Sequence, residues 1–108
     1  MQEPTFLILT ALAAGPQHGY AIMSDVTSIS DGRVQLRAGT LYTALDRLRT
    51  DEAIDVDREE IVDGRLRRYY KLTPSGATAL AAETARLQAN ARVATARLRK
   101  LGPAGSTG

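Results

Sequence analysis

The sequence predicts a mainly α-helical fold that carries one β-hairpin and ends in a single long helix. Three observations predict it. Apolar residues recur at helical spacing in three segments before residue 51. From Ile54 the spacing changes to two, on either side of the turn dipeptide Asp63-Gly64. From Pro74 to Leu101 no strong breaker follows Gly76. A chain of 108 residues suits one domain with a modest core.

Pro4 introduces the first helix, Thr5 to Ala14, which is apolar around most of its circumference and stopped by Gly15-Pro16. Such a helix must be covered on most sides, so a central position and a share in a subunit contact are expected for it. Gln17-His18-Gly19 opens a second helix whose expected buried stripe is Ile22, Val26 and Ile29, with Tyr20 and Met23 beside it. Ser30-Asp31-Gly32 ends that helix. A short extended link, Arg33 to Leu36, leads into the third helix, Arg37 to Thr50.

In the third helix Leu41, Leu45 and Leu48 fall on one face at i, i+4, i+7 and should be buried. Thr43 and Thr50 point directly away from them, with Thr40 and Arg47 on one side, Asp46 on the other, and Tyr42 and Arg49 together on the flank. Short hydroxyl side chains and an arginine on a protruding helix suit a major groove, because they offer donors to phosphates and base edges without bulk.

Beyond Ala53, Ile54, Val56 and Arg58 alternate with Asp55, Asp57 and Glu59, and Ile61-Val62 lead into the turn. On the return strand Leu66, Arg68, Tyr70 and Leu72 share one side, while Arg65, Arg67, Tyr69 and Lys71 share the other. The acidic outgoing strand and the basic return strand should pair favourably. Arg65, at the tip, has no evident partner except Asp63.

Thr73-Pro74 is a helix start, an N-cap hydroxyl followed by proline at the first helical position. A heptad count then places Ala77, Thr84, Ala91 and Leu98 at one seam position and Leu80, Leu87, Ala94 and Leu101 at the other. A domain of some seventy residues cannot cover that seam, so a homodimer is expected. Leu80, Leu87, Ala91, Ala94 and Leu98 form its interface, with Arg86, Arg92, Arg97 and Arg99 outside. The expected organisation is residues 1–73 as a DNA-binding domain, 74–101 as a dimerisation helix and 102–108 as a disordered tail.

Composition excludes several function classes. Cysteine is absent, which removes disulfides, thiolate metal sites and cysteine nucleophiles. One histidine without a second ligand makes a metal or catalytic role for His18 unattractive, and a helix-start hydrogen bond is expected instead. The acidic residues Asp51, Glu52, Asp55, Asp57, Glu59, Glu60 and Asp63 match no calcium loop, and carboxylates on both faces of a strand do not converge. With no phosphate loop either, neither an enzyme nor a cofactor is expected. The net charge of +2 does not by itself argue for nucleic acid, although a pI of 9.3 permits it. The apolar run Phe6 to Leu12 is too short to span a membrane, so a soluble, cytoplasmic chain is expected.

The order helix, helix, helix, hairpin, long helix is that of a winged helix-turn-helix, with the third helix as reader and the hairpin as wing. The residues placed against double-stranded DNA are Arg37, Thr40, Tyr42, Thr43 and Arg47 of the reader, with Arg65 and Arg67 of the wing on phosphates or in the minor groove. A winged-helix module used for protein contacts, without operator binding, is the alternative.

The chain also resembles the PadR family of bacterial transcriptional regulators over residues 5 to 80. The resemblance rests on His18-Gly19-Tyr20 with Ile22, on Gly39-Thr40-Leu41-Tyr42 with Leu45, Arg47 and Leu48, and on Gly64 with Arg68-Tyr69-Tyr70-Lys71-Leu72-Thr73 and Gly76. It departs from the family at Thr43, where proline is usual, and at Ala53, where glycine is usual. A single C-terminal helix resembles the family's shorter branch. The resemblance implies a dimeric repressor that places two recognition helices and two wings on an operator and is released by a small-molecule effector. Without tryptophan, an effector cleft between the long helices and the reader domains would have a mainly aliphatic lining.

Overall fold

Seven elements follow one another in the computed structural model, which describes residues 1–102. They are α1 (Glu3–Ala13), β1 (Gln17–His18), α2 (Gly19–Ile29), α3 (Ala38–Thr50), β2 (Ile54–Val62), β3 (Arg65–Leu72) and α4 (Pro74–Lys100). The expected tail lies, beyond Gly102, outside the described residues.

Helix α1 is the centre of the fold. Leu7, Ile8, Leu9, Ala11 and Leu12 are all buried, and three consecutive buried residues mean that more than one side of the helix is covered. The cover is α2, α4 and β3 of the same chain. Phe6 is only partly buried and Ala13 is exposed, so this cover does not extend over the whole helix. Ile22 and Val26 of α2, Leu41, Leu45 and Leu48 of α3, and Ile54 and Tyr70 of the sheet complete the core.

The stripe of α2 ends sooner than its periodicity suggests. Ile29 is 42% exposed, and the buried position at that end belongs to Ser30. The Ser30 hydroxyl accepts from the Val34 amide at 3.0 Å and donates to the Val26 carbonyl at 2.8 Å, closing the helix end with polar contacts. Both α2 and α3 stop in Schellman turns with a non-glycine residue in left-handed conformation, Asp31 at φ 55° and Glu52 at φ 61°. After α3, the Glu52 amide donates to the Arg49 carbonyl and the Ala53 amide to the Leu48 carbonyl, at 3.0 and 2.9 Å.

The sheet has three antiparallel strands in the order β1-β3-β2, one more than the hairpin expected from the sequence. β1 aligns Gln17 with Tyr70 and His18 with Tyr69. Between β2 and β3 the register runs from Ile54 against Leu72 to Val62 against Arg65, with a bulge at Asp57. The bulge changes which residues share a face. Arg58, expected beside Ile54 and Val56, instead lies opposite Tyr69 with its guanidinium carbon 3.8 Å from the ring centroid. Glu59 now faces Arg68, and the two pair at 2.9 Å. Asp63 (φ 52°) and Gly64 (φ 76°) form the two-residue turn with both central residues left-handed, as a type I′ hairpin requires.

Thr73 caps α4 by accepting from the Gly76 amide at 3.0 Å. The start of α4 lies on α1, and Leu80 is half-buried against the core of its own chain. From Ala85 onward every described residue of α4 is exposed. The helix has 27 residues, so it is about 40 Å long, and it accounts for the 63 × 27 × 20 Å shape of the molecule.

Candidate nucleic-acid interface

With its leucine face buried, α3 presents the opposite face outward. Thr40, Tyr42, Thr43 and Arg47 are all exposed, and so is Arg37, which occupies the N-cap position without a side-chain cap bond. The amides of the first turn of α3 are therefore uncovered by protein side chains, at the positive end of the helix dipole. Gly39 leaves this end bare: a Cβ built there meets no atom within 4 Å.

The reader residues do not all point the same way. Arg47 turns toward α1, donating from Nη2 to the Thr5 hydroxyl at 3.1 Å. With Gln2, Pro4, Thr40 and Thr43 it lines a hollow of about 620 Å³ between the start of α1 and α3. The Thr50 hydroxyl is committed to its own helix, donating to the Asp46 carbonyl at 3.1 Å. Tyr42 leans the other way, over the start of α2. Its hydroxyl sits where a side chain at position 19 would begin, and a Cβ there would also lie 2.9 Å from its Cζ. Glycine at 19 leaves room for the tip of the Tyr42 ring in this orientation.

The wing completes a second groove, of about 610 Å³, lined by Tyr20 and Tyr42 from the helices and by Arg65, Arg67 and Arg68 from β3. The four arginines of the wing fall into two classes. Arg58 pairs with Asp57 and Glu60, and Arg68 pairs with Glu59. The Arg58 contact holds the Glu60 carboxyl below its ordinary pKa, and the Glu59 contact raises that of Arg68. Among the described residues neither Arg65 nor Arg67 has a salt bridge, so these two guanidinium groups remain available to an anion.

At the inner end of the groove His18 caps α2. Its Nδ1 accepts a long hydrogen bond, 3.4 Å, from the Ala21 amide, and its ring meets Tyr69 edge-on with centroids 5.3 Å apart. Burial, and then the charge of Arg67, lower its pKa against the opposing pull of Glu60. A neutral imidazole with an unprotonated Nδ1 is what this cap needs.

Tyr20, expected beside the buried stripe of α2, is instead 76% exposed at this groove. Helical spacing contained the signal, since position 20 is about 200° from position 22 and so faces away from the stripe. The seam residues are less united. Leu87 is 40% and Leu98 62% exposed, and Ala91 and Ala94 are open, whereas Leu80 is partly covered by its own core.

The model of the transcriptional regulator PadR-like family matches residues 8–82. Over 54 residues the chain is 44% identical to a transcriptional regulator of Mycobacterium tuberculosis, covering half of each chain. It spans 64%, 20% and 50% of the length of three curated relatives it matches. A PadR family transcription regulator of Clostridium difficile superposes with a TM-score of 0.75 at 24% identity, over 90% of this chain and 99% of that one. Bacillus subtilis PadR in complex with operator DNA superposes with a TM-score of 0.69 at 24% identity, over 77% of this chain and 47% of that one. These two likenesses concern the fold, and the match over residues 8–82 concerns the family: the chain belongs to the PadR-like transcriptional regulators.

Proposed function

We propose that this chain is a sequence-specific, cytoplasmic repressor that binds its operator as a homodimer. The observation that carries the proposal is the division of α3 into a buried leucine face and an open face bearing Thr40 and Thr43, beside a wing whose Arg65 and Arg67 are unpaired. Residues 1–73 supply the DNA contacts. Thr40 and Thr43 read base edges in the major groove, Arg37, Tyr42 and Arg47 flank them, and Arg65 and Arg67 take phosphates or the minor groove. The Bacillus subtilis PadR structure, which holds operator DNA on the same fold, supports DNA as the partner.

Residues 74–101 supply the dimer. Leu87, Ala91, Ala94 and Leu98 lack cover in one chain, and a two-fold partner provides it, with Leu80 at the edge of the contact. Two reader helices related by symmetry reach half-sites about 34 Å apart, which one helix cannot. Release by a small molecule that enters between the α4 pair and the reader domains completes the proposal.

The test is a salt titration of duplex binding. Arg67→Ala should weaken all sequences alike and flatten the slope of log affinity against log salt by about one unit. Thr43→Val should alter preference among sequences and leave that slope in place. Unchanged affinity and slope in both Arg47→Ala and Arg67→Ala would overturn the assignment.

A further inference from the structure

The end of the reader helix and the start of the long helix are joined through one side chain. The Thr73 hydroxyl donates to the Glu52 carbonyl at 2.6 Å and accepts from the Gly76 amide at 3.0 Å, while the Thr73 amide donates to the Ala53 carbonyl at 3.1 Å. Glu52 and Ala53 are the residues of the Schellman turn that ends α3, and Thr73 is the N-cap of α4. Both helix ends are thus held by the same residue, although the whole wing separates them in sequence. Gly76 closes the joint further. A Cβ at that position would collide with the Ala53 carbonyl oxygen and lie 2.8 Å from its carbon, so the first turn of α4 rests directly on the backbone that leaves α3. The carbonyl is backbone, so the approach cannot be relieved by a side-chain rotation.

We infer that Thr73 and Gly76 are positioning residues that set the direction of α4 relative to α3, and through it the separation of the two reader helices in the dimer. The inference rests on the dimeric DNA-binding role proposed above. Leverage makes it consequential: over a helix of about 40 Å, a tilt of about 10° at the joint moves the far end by about 7 Å. At 3.4 Å per base pair that displacement corresponds to about two base pairs of half-site spacing. No residue of the joint needs to touch DNA. Its effect is on which spacing the two readers fit together, not on how well each reads its own half-site.

The chain contains no cysteine, so Asp46→Cys on the exposed side of α3 provides a unique label site. A spin label there reports the distance between the two readers of a dimer by pulsed dipolar spectroscopy, without DNA. The labelled parent should give one narrow distance peak. Thr73→Val, which keeps the shape and removes the hydroxyl, should broaden and shift that peak while the sedimentation of the dimer and its helical content stay as in the parent. Thr73→Ser, which restores the hydroxyl, should return the parent peak. On a series of duplexes differing only in the spacer between half-sites, Thr73→Val should lose the parent's preference for one spacing and keep its affinity for a single half-site. Gly76→Ala, if it folds, should act in the same direction.

A folded, dimeric Thr73→Val with the parent's distance peak and spacing preference would overturn the inference, even if its melting temperature fell. So would a Thr73→Ser variant that behaves like Thr73→Val. Absence of dipolar coupling in the labelled parent would instead fail the dimer itself, and the joint's role with it. A normal peak in a protein that binds no duplex selectively would fail the DNA-binding proposal, and the peak in Thr73→Val would still decide whether the joint sets the reader distance.

Discussion

Helices α1 and α4 both carry more apolar surface than one face of a helix needs, and the chain treats them in opposite ways. Leu7, Ile8, Leu9, Ala11 and Leu12 of α1 are buried against α2, α4 and β3, with Ile8 fully so. Every residue of the second half of α4 is exposed, Leu87 and Leu98 among them. The difference is one of supply. A chain with three further helices and a small sheet has enough material to surround one short central helix, and none left for a helix of about 40 Å that departs from one edge. Apolar residues in α1 therefore belong to the core, whereas those in the far half of α4 are exposed in one chain and are where the proposed partner would lie.

The largest effect that separates the two helices is expected from Leu9→Ala, which leaves a cavity in α1 and should cost about 2–5 kcal/mol in denaturant unfolding. Leu98→Ala removes the same atoms from a solvent-exposed position of one chain. Its cost should appear only at protein concentrations where the dimer forms and vanish on dilution. Equal losses in both variants at all concentrations would erase the distinction.

Leu87→Asp sharpens the comparison from the other side. A charge in the middle of the α4 seam should weaken the dimer by about 1–3 kcal/mol and abolish operator binding with it, while the fold of each chain persists. Sedimentation and duplex binding measured on the same sample check this. A Leu87→Asp dimer that still binds would place the contact elsewhere.

A smaller effect is expected where α3 hands over to the sheet. Glu52 holds a left-handed conformation that glycine adopts without strain. Glu52→Gly should therefore raise stability by about 0.5–1 kcal/mol, read as a higher melting temperature. Its carbonyl remains in place, so the bond from Thr73 is retained.

The smallest effect concerns pH. His18 has a lowered pKa in the folded chain, because burial and the nearby Arg67 disfavour its charged form. Between the unfolded value near 6.5 and the lower folded value, the unfolded chain binds more proton, so stability falls as pH falls through that window. Above it the contribution is fully present. His18→Asn keeps a capping acceptor without a titrating ring, and should flatten this part of the stability profile measured by thermal melts.

The helices were legible because their apolar spacing is regular and their ends carry recognisable residues: Gly15-Pro16, Ser30-Asp31-Gly32 and Thr73-Pro74. The wing turn was legible because Asp63-Gly64 suits two successive left-handed positions. β1 was not, since two residues are too few for any periodicity and its pairing depends on where Tyr69 and Tyr70 lie in space. The bulge at Asp57 was hidden for a different reason. Alternating charged residues read equally well in either register, and only the fit of Val56 and Tyr70 on the core face decides where the extra residue goes. In the candidate site, the exposure of Thr40 and Thr43 followed from the burial of Leu41, Leu45 and Leu48. Which arginines were free did not, because that depends on the shifted register, which gives Arg68 to Glu59, and on Arg58 turning along its own strand to Glu60.

Selection from a random duplex library at increasing salt tests the central proposal most directly. The unaltered chain should enrich an inverted repeat whose half-sites lie about one helical turn apart, with binding that weakens as salt rises; the Thr43→Val chain should enrich a different core, and the Leu87→Asp chain none. Enrichment of no common sequence by the unaltered chain, or retention that is indifferent to salt, would contradict operator binding through α3 and the wing.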